Sequence, residues 1–168
     1  MEIADRICRH LTSYRFEDFP LATVERAKTF LLDSLGVAIA GTTATGTAAI
    51  MDRIKYWGGR KESSVFVFGG KVPAYHAALM NGVFCHAREL DDGHEEGGVH
   101  TFAAVLPAAL AVAEEVGGVS GKDFLTALIL GTDLTCRLGL SIRYNRGWHF
   151  TGICGASAAA SFSLAVTR

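Results

Sequence analysis

The residues best suited to do chemistry lie between Glu89 and Thr101, in the segment Glu-Leu-Asp-Asp-Gly-His-Glu-Glu-Gly-Gly-Val-His-Thr. This segment brings five carboxylates and two imidazoles together in a chain that is 49% hydrophobic. His86 lies just upstream, so a helix that continued to Asp92 would place His86, Glu89 and Asp92 on one face. A carboxylate beside an imidazole is an arrangement that serves general acid/base catalysis. The spacing therefore predicts an acid/base set.

The local sequence indicates roles for these residues and leaves alternatives open. His100 follows two glycines and precedes an apolar helix, whose free N–H groups favour an anion at that end. This context predicts a catalytic base or a substrate ligand, with a capping or core histidine held by a neighbouring acid as the alternative. Asp91 and Asp92 are equally typical of turns and helix caps. Glu89 is expected to orient or polarise the His86 imidazole.

A second candidate histidine lies in the segment Arg-Gly-Trp-His-Phe-Thr-Gly, residues 146 to 152. Glycines and aromatic side chains flank His149 just before a predicted helix, and loops of this composition often line pockets. No acidic residue follows Asp133, so nearby arginines could receive the carboxylate of a substrate. These arginines are Arg137, Arg143 and Arg146. Surface solubility is the alternative for each of them.

Metal binding is a further alternative for the acidic segment. Oxygen and imidazole ligands occur there within a few residues, although their spacing matches no specific metal motif. They are Asp91, Asp92, His94, Glu95 and His100. The sequence contains no P-loop, no GxGxxG after a strand and no GxSxG elbow, so nucleotide, dinucleotide and serine-hydrolase functions lack support.

Composition and charge disfavour several other classes of protein. A formal net charge of −1 gives no field that would draw nucleic acid or an anionic membrane to the chain. Four cysteines without a CxxC pair predict free thiols in a reducing compartment, and the first residues lack the apolar core of a signal peptide. A cytoplasmic location is therefore expected. The uncharged run from Phe150 to Thr167 consists mostly of small residues, which suits helix packing better than contact with lipid.

Helical periodicity dominates the elements that must position these residues. Segments with helical spacing of apolar residues begin at Ile3, Leu21, Thr45, Pro73, Phe102 and Ser120, and a small-residue segment follows from Thr151. The run from Ser64 to Phe68 is the only convincing β-rich stretch. The prediction is a single all-α, bundle-like domain over residues 1–168, without an internal domain boundary.

Ordered motifs extend over essentially the whole chain. They are Leu31-Leu32-Asp33-Ser34-Leu35-Gly36-Val37-Ala38 with Ala40-Gly41, Ala77-Ala78-Leu79-Met80-Asn81-Gly82, the segment from His86 to Asp92, Val105-Leu106-Pro107-Ala108-Ala109-Leu110-Ala111, and Gly147-Trp148-His149 with Thr151-Gly152. In combination they resemble the MmgE/PrpD family, whose members include 2-methylcitrate dehydratase, cis-aconitate decarboxylase and iminodisuccinate epimerase.

The resemblance implies a helical domain joined to a smaller α+β lid, usually in a homodimer. It also implies chemistry on di- and tricarboxylates without a metal or organic cofactor, by proton transfer at a carbon beside a carboxylate. On this basis His100 is the leading general acid/base, with Glu89 orienting it and Asp92 in support. The opposing acid, or a ligand for a substrate carboxylate, would be His149. The expected substrate-binding residues are His149, Arg146 and His86.

This chain also departs from the family pattern. Glu89 stands where the family commonly has aspartate, and Thr101 and Phe150 replace the prolines that usually follow the key histidines. Family members are considerably longer, and the lid has no counterpart here. The sequence therefore predicts part of a larger fold: a lyase or isomerase of the 2-methylcitrate dehydratase type, completed by a second copy, a complementary chain or the rest of its own polypeptide. A non-catalytic helical subunit or degenerate fragment, and a metal-dependent helical hydrolase, are the alternatives.

Overall fold

Seven α-helices and a two-stranded sheet make up the part of the chain that this computed structural model describes, residues 2–142 and 147–166. The helices are α1 (Ile3–Ser13), α2 (Leu21–Gly41), α3 (Thr47–Trp57), α4 (Ala74–His86), α5 (Phe102–Val116), α6 (Gly121–Ser141) and α7 (Phe150–Val166). Between α3 and α4, β1 (Ser63–Ser64) pairs antiparallel with β2 (Lys71–Val72). The prediction of an all-α architecture is confirmed.

The predicted helix starts follow from proline and cap residues. Helices α2 and α4 begin directly after Pro20 and Pro73, because proline has no N–H to lose and its fixed φ suits the entry to a helix. Ser120 Oγ accepts a hydrogen bond from Asp123 N at 3.1 Å, which confirms the predicted cap of α6. Local signals therefore determine where three of the long helices begin.

The predicted β-rich run from Ser64 to Phe68 is strand only at its start. From Ser64 onward, the backbone of the run forms hydrogen bonds with the Asn81 side chain of α4 in place of a neighbouring strand. Asn81 Oδ1 accepts from Phe66 N at 3.0 Å, and Asn81 Nδ2 donates to Ser64 O at 3.0 Å. Val67 has a φ of 65° and turns the chain back toward β2. The run is one arm of a short hairpin fixed to α4.

Helix α5 lies at the centre of the fold. It packs against α4, α6 and α7 and also contacts α2 and β1. Val105 and Leu106 are fully buried, as an apolar central helix requires. Pro107 lies inside α5, where its missing N–H leaves the Ala103 carbonyl without its helical donor. Gly82 of α4 packs against that carbonyl, so α4 and α5 approach closely at this point.

Two glycines permit close contacts that hold the ends of the acidic segment. A Cβ atom on Gly41 of α2 would lie 1.9 Å from Phe84 O of α4, and one on Gly139 of α6 would lie 2.6 Å from Gly97 O. Real Cβ atoms do not approach backbone oxygens so closely, because dense packing leaves no free volume there. These glycines therefore set the positions of the α4 terminus and of the turn at Gly97.

Helix α6 has the length and apolar composition of a helix that could cross a membrane. In this fold it packs against α5 and α7 and buries Leu128, Leu130 and Leu134. A helix that is buried in a protein core has the same apolar composition as one that crosses a membrane. The small-residue helix α7 likewise packs against α5 and α6, as its composition predicted.

Candidate active site

The acidic segment is a loop that leaves α4 and folds back to the start of α5. Helix α4 ends at His86, and Glu89 adopts a left-handed φ of 53°. The helix therefore does not reach Asp92, and the predicted shared helical face of His86, Glu89 and Asp92 does not form. The loop instead returns His100 to the end of α4, where its ring centroid lies 4.8 Å from that of His86.

Asp91 lies between these two imidazoles. Its side chain is 1% exposed, and its Oδ2 is 3.0 Å from His86 Nδ1 and 3.2 Å from His100 Nδ1. The contact with His86 is a hydrogen bond, whereas His100 Nδ1 lies at ion-pair distance without hydrogen-bond alignment. Burying a carboxylate without a partner costs several kcal/mol, which favours keeping both rings against Asp91.

These contacts determine which ring nitrogens are available for chemistry. A carboxylate only accepts hydrogen bonds, so an imidazole that faces Asp91 through Nδ1 carries its proton there. Its Nε2 atom then has a lone pair that can accept a proton. The side chains of His86 and His100 are 32% and 34% exposed, so part of each ring is accessible.

His149 approaches the same site from the start of α7. Its ring centroid is 6.3 Å from that of His86. Gly152 N donates to His149 Nδ1 at 3.2 Å, so the neutral ring carries its proton on Nε2. Thr151 Oγ1 accepts a hydrogen bond from His100 N at 3.0 Å and ties the start of α7 to the loop. The site therefore brings together His86, whose Nε2 can accept a proton, His149, whose Nε2 can donate one, and His100, whose Nδ1 lies at ion-pair distance from Asp91.

Asp92 caps helix α5. Its Oδ1 accepts from Phe102 N at 2.9 Å, and its Oδ2 accepts from Thr101 N at 3.0 Å and from the Thr101 hydroxyl. Both oxygens thus satisfy groups at the helix N-terminus, and the negative charge also complements the helix dipole there. Asp92 is therefore a capping residue, the alternative that its sequence context also allowed. These hydrogen bonds fix the backbone of Thr101 and Phe102, which directly follow His100.

Glu89 lies at ion-pair distance from His86, as its spacing predicted, but not from His100. Its side chain is 77% exposed, and its Oε1 lies 3.7 Å from His86 Nε2. The carboxylate that contacts His100 is Asp91, not Glu89. The sequence interpretation of Asp91 as a turn or cap residue missed this. A signal was available, since Asp91 stands between two histidines in a segment whose glycines allow the chain to fold back.

The predicted arginines do not all reach this site. Arg146 and Arg143 lie outside the described residues. Arg137 Nε donates to Asp133 Oδ2 at 2.7 Å, and together with His10 these residues line a separate cleft. Arg137, the one predicted arginine among the described residues, therefore does not offer its guanidinium to a substrate carboxylate beside His100.

Cys85 is the other reactive side-chain type beside the site. Burial, together with the negative charges of Asp91 and Asp92, raises the pKa of its thiol to about 12. The thiolate is the nucleophilic form of cysteine, so Cys85 stays an inert thiol at neutral pH. The imidazoles and carboxylates are therefore the candidates for acid/base chemistry at this site.

His86, Asp91 and His100 also form a possible ligand set for a metal ion. Each offers one ligand atom, and the three atoms lie within 4.8 Å of one another. Two imidazoles and a carboxylate suit zinc and non-haem iron. The set differs from the one the sequence suggested, because the oxygens of Asp92 are engaged in capping α5.

Comparison with known proteins shows how this site is related to others. A family model described as the MmgE/PrpD N-terminal domain matches residues 5–165. The chain belongs to the MmgE/PrpD family. This finding confirms the resemblance drawn from the sequence motifs.

Three relatives illustrate the similarity. The cis-aconitate decarboxylase-like protein oryM of Aspergillus oryzae is 30% identical over 96% of this chain and 36% of its own length. A cis-aconitate decarboxylase of Aspergillus terreus is 31% identical over 94% of this chain and 34% of its own length. The cis-aconitate decarboxylase of Mus musculus is 31% identical over 68% of this chain and 24% of its own length. The chain thus spans about a third of the two fungal relatives.

Proposed function

We propose that this chain supplies acid/base residues of a lyase or isomerase that moves a proton at a carbon beside a carboxylate of a di- or tricarboxylate. Family membership and relatives named cis-aconitate decarboxylase support this substrate class. Because the chain spans about a third of the fungal relatives, we propose that the rest of the active site comes from a partner chain or from further polypeptide.

The observation that carries the proposal is the contact of one buried carboxylate, Asp91, with two imidazoles. Asp91 is 1% exposed and lies within 3.2 Å of Nδ1 on both His86 and His100. A carboxylate in this position fixes the tautomer of a general base and stabilises the imidazolium that forms when the base accepts a proton. A purely structural role for Asp91 would not require two partly exposed imidazoles.

The proton transfer can be followed from these groups. Nε2 of His100 accepts a proton from the carbon beside a substrate carboxylate, and the electron pair of the C–H bond moves toward that carboxylate. The new imidazolium is stabilised by the charge of Asp91. The donor Nε2–H of His149 binds the substrate carboxylate or returns a proton to the opposite side of the substrate. General acid/base catalysis of this kind contributes about 10²–10⁴ in rate.

The net reaction depends on which bonds to carbon break. In a dehydration, the C–H and C–O bonds break, and the departing oxygen takes a proton to leave as water. In a decarboxylation, the C–C bond to the carboxylate breaks without prior loss of a C–H proton; carbon dioxide leaves, the electron pair stays on the substrate carbon, and an acid gives that carbon a proton. In an epimerisation, the proton taken from one face of a carbon is replaced at the opposite face. Dehydration and epimerisation use a base and an acid, whereas decarboxylation needs the acid, and all three act on a desolvated, oriented substrate.

Deuterium uptake tests the proposal. The protein is incubated in D₂O with cis-aconitate, citrate, 2-methylcitrate and smaller dicarboxylates, and loss of C–H signals is followed by proton NMR. The wild-type chain is expected to exchange at least one substrate, and His100→Ala is expected to lose at least 100-fold of that rate. Glu96→Gln is the matched control, because Glu96 is exposed in the same segment. Absence of uptake by the folded chain would show that these residues are insufficient alone, and would favour either a partner-dependent active site or the non-catalytic subunit.

A metal-dependent hydrolase is the second candidate, and the ligand set of His86, Asp91 and His100 favours it. Elemental analysis of the purified protein before and after incubation with zinc separates the two functions. One equivalent of zinc that His86→Ala fails to retain would support the metal-dependent candidate. Deuterium exchange that survives removal of all divalent ions would rule it out.

A further inference from the structure

A second concave site lies between α1, α2 and α6, away from the three histidines. It is a cleft of about 370 Å³, within the range of small-molecule pockets. Four aromatic rings contribute to its lining, those of Tyr14, Phe19, Phe30 and Phe102. None of its lining residues belongs to the acid/base set described above.

The rings form two pairs. Tyr14 and Phe19 are stacked, with centroids 5.6 Å apart and planes at 13°. Phe30 and Phe102 are tilted, with centroids 5.6 Å apart and planes at 41°. Tyr14, Phe19 and Phe30 are partly exposed, whereas Phe102 is 2% exposed, so the first three rings offer most of the surface on which a third ring system can stack or pack edge to face. The apolar part of the cleft therefore fits a planar, unsaturated group.

The polar part of the cleft carries an unbalanced positive charge. Asp133 Oδ2 lies 2.8 Å from His10 Nε2 and 2.7 Å from Arg137 Nε, so the one carboxylate of the lining already balances one guanidinium. Arg26 also lines the cleft and forms no ion pair within residues 2–142 and 147–166. Thr132 Oγ1 is buried without a hydrogen-bond partner. The cleft therefore has one guanidinium, that of Arg26, available for a single anionic group.

We propose that this cleft binds a planar aromatic monocarboxylate. The ring system of the ligand would pack among the four aromatic side chains, and its carboxylate would bond the Arg26 guanidinium. Arginine suits this role because its planar fork of donors matches a carboxylate. A single carboxylate matches the single uncompensated charge, whereas a di- or tricarboxylate would bring charges for which the cleft has no counterpart.

The cleft is also connected to the acid/base site. Phe102 lines the cleft and is the first residue of α5, and its backbone N donates to Asp92 at 2.9 Å. His100 lies two residues before it in the chain. Phe102 is 2% exposed, so a ligand in the cleft meets only a small part of its ring. That contact lies at the helix start from which His100 extends, so binding should change the environment of the His100 ring.

Binding of 2-naphthoate tests the proposal by ligand-observed NMR and calorimetry. The expected result is one equivalent bound, with a Kd at least tenfold lower than that of the uncharged 2-naphthalenemethanol. Arg26→Gln is expected to raise the Kd of 2-naphthoate about tenfold, since hydrogen bonds to charged groups are the strong ones. Arg53→Gln, on α3 with its guanidinium over the Tyr56 ring, is the matched control and should leave that Kd unchanged.

Four results would overturn the proposal, three of them from the binding measurements and one from His100→Ala. The first is no binding of 2-naphthoate, and the second is equal affinity for the acid and the alcohol. The third is an equal effect of Arg26→Gln and Arg53→Gln. His100→Ala must retain 2-naphthoate binding, because loss in that variant would place the ligand at the acid/base site instead. The measurement does not depend on deuterium exchange, so this proposal and the proposed function can fail separately.

Discussion

Replacing Asp91 with asparagine isolates the group on which the proposed acid/base site depends. Asp91→Asn keeps the size of a side chain that is 1% exposed and removes the charge that lies within 3.2 Å of two imidazole nitrogens. The new amide can also donate a hydrogen bond, which would place the proton on Nε2 of a facing histidine and remove the lone pair needed for proton abstraction.

The size of the effect follows from these contacts. In an established catalytic triad, the same acid-to-amide change beside a general-base histidine costs about 10⁴ in rate, through the wrong tautomer. His100 Nδ1 here lacks full hydrogen-bond alignment, so we expect a loss of about 10²–10⁴ in deuterium exchange, equivalent to about 3–5 kcal/mol in the barrier. The Km for substrate should change much less than the rate.

Glu89→Gln provides the matched comparison. Glu89 is 77% exposed and lies 3.7 Å from His86 Nε2, a separation at which Coulomb's law in water gives about 1 kcal/mol. Its neutralisation should therefore reduce exchange by less than tenfold. Both variants are first compared with the wild type by circular dichroism and thermal unfolding. A larger loss for Glu89→Gln than for Asp91→Asn would refute the assignment of Asp91 and restore the sequence interpretation.

Three further predictions concern other parts of the fold. Cys85, with a thiol pKa of about 12, should resist iodoacetamide at pH 8 while exposed Cys8 is alkylated, as mass spectrometry would detect. Gly41→Ala should destabilise the protein by about 2–4 kcal/mol in denaturant unfolding, because the Cβ atom of the alanine would lie 1.9 Å from a carbonyl oxygen of α4. Gly36→Ala is the control: there is open space around Gly36, so this change should be neutral or stabilising. Burial raises the pKa of Glu114, but hydrogen bonds from Ser64 of β1 and Lys71 of β2 lower it, and the net effect is a pKa below 4.5. The ionised carboxylate should therefore stabilise the fold at pH 7, and this stabilisation should be lost as the pH falls through the lowered pKa. Glu114→Gln should destabilise the protein at pH 7 and have little effect at pH 2.

Much of the fold could be predicted from local sequence because helix formation is a local event. Pro20 and Pro73 mark the starts of α2 and α4, and Ser120 caps α6, each through interactions within one helical turn. Apolar periodicity likewise identified the central helix α5 but left open whether Pro107 lies inside the helix or begins it; Pro107 lies inside. Gly82 of α4, which is remote in sequence, packs against the carbonyl that Pro107 leaves without a donor.

The candidate site was only partly predictable. The sequence picked out His86, His100 and His149, and the structure brings their rings together. The residue that joins two of them, Asp91, was interpreted as a turn or cap residue, because its partners are not related to it by any helical period. Its sequence neighbour Asp92 has the capping role, and residue type alone does not distinguish the two.

The sequence by itself determined the helical class, the starts of the main helices and the family, and it picked out the three histidines whose rings lie together. These properties depend on residue types and on spacings within a few positions of one another. Tertiary structure decided that α4 stops at His86, that Asp91 faces two imidazoles and that Glu89 stays exposed. The physical reason is that a loop has no intrinsic period, so its path is set by contacts at distant residues, such as Gly97 against Gly139 of α6.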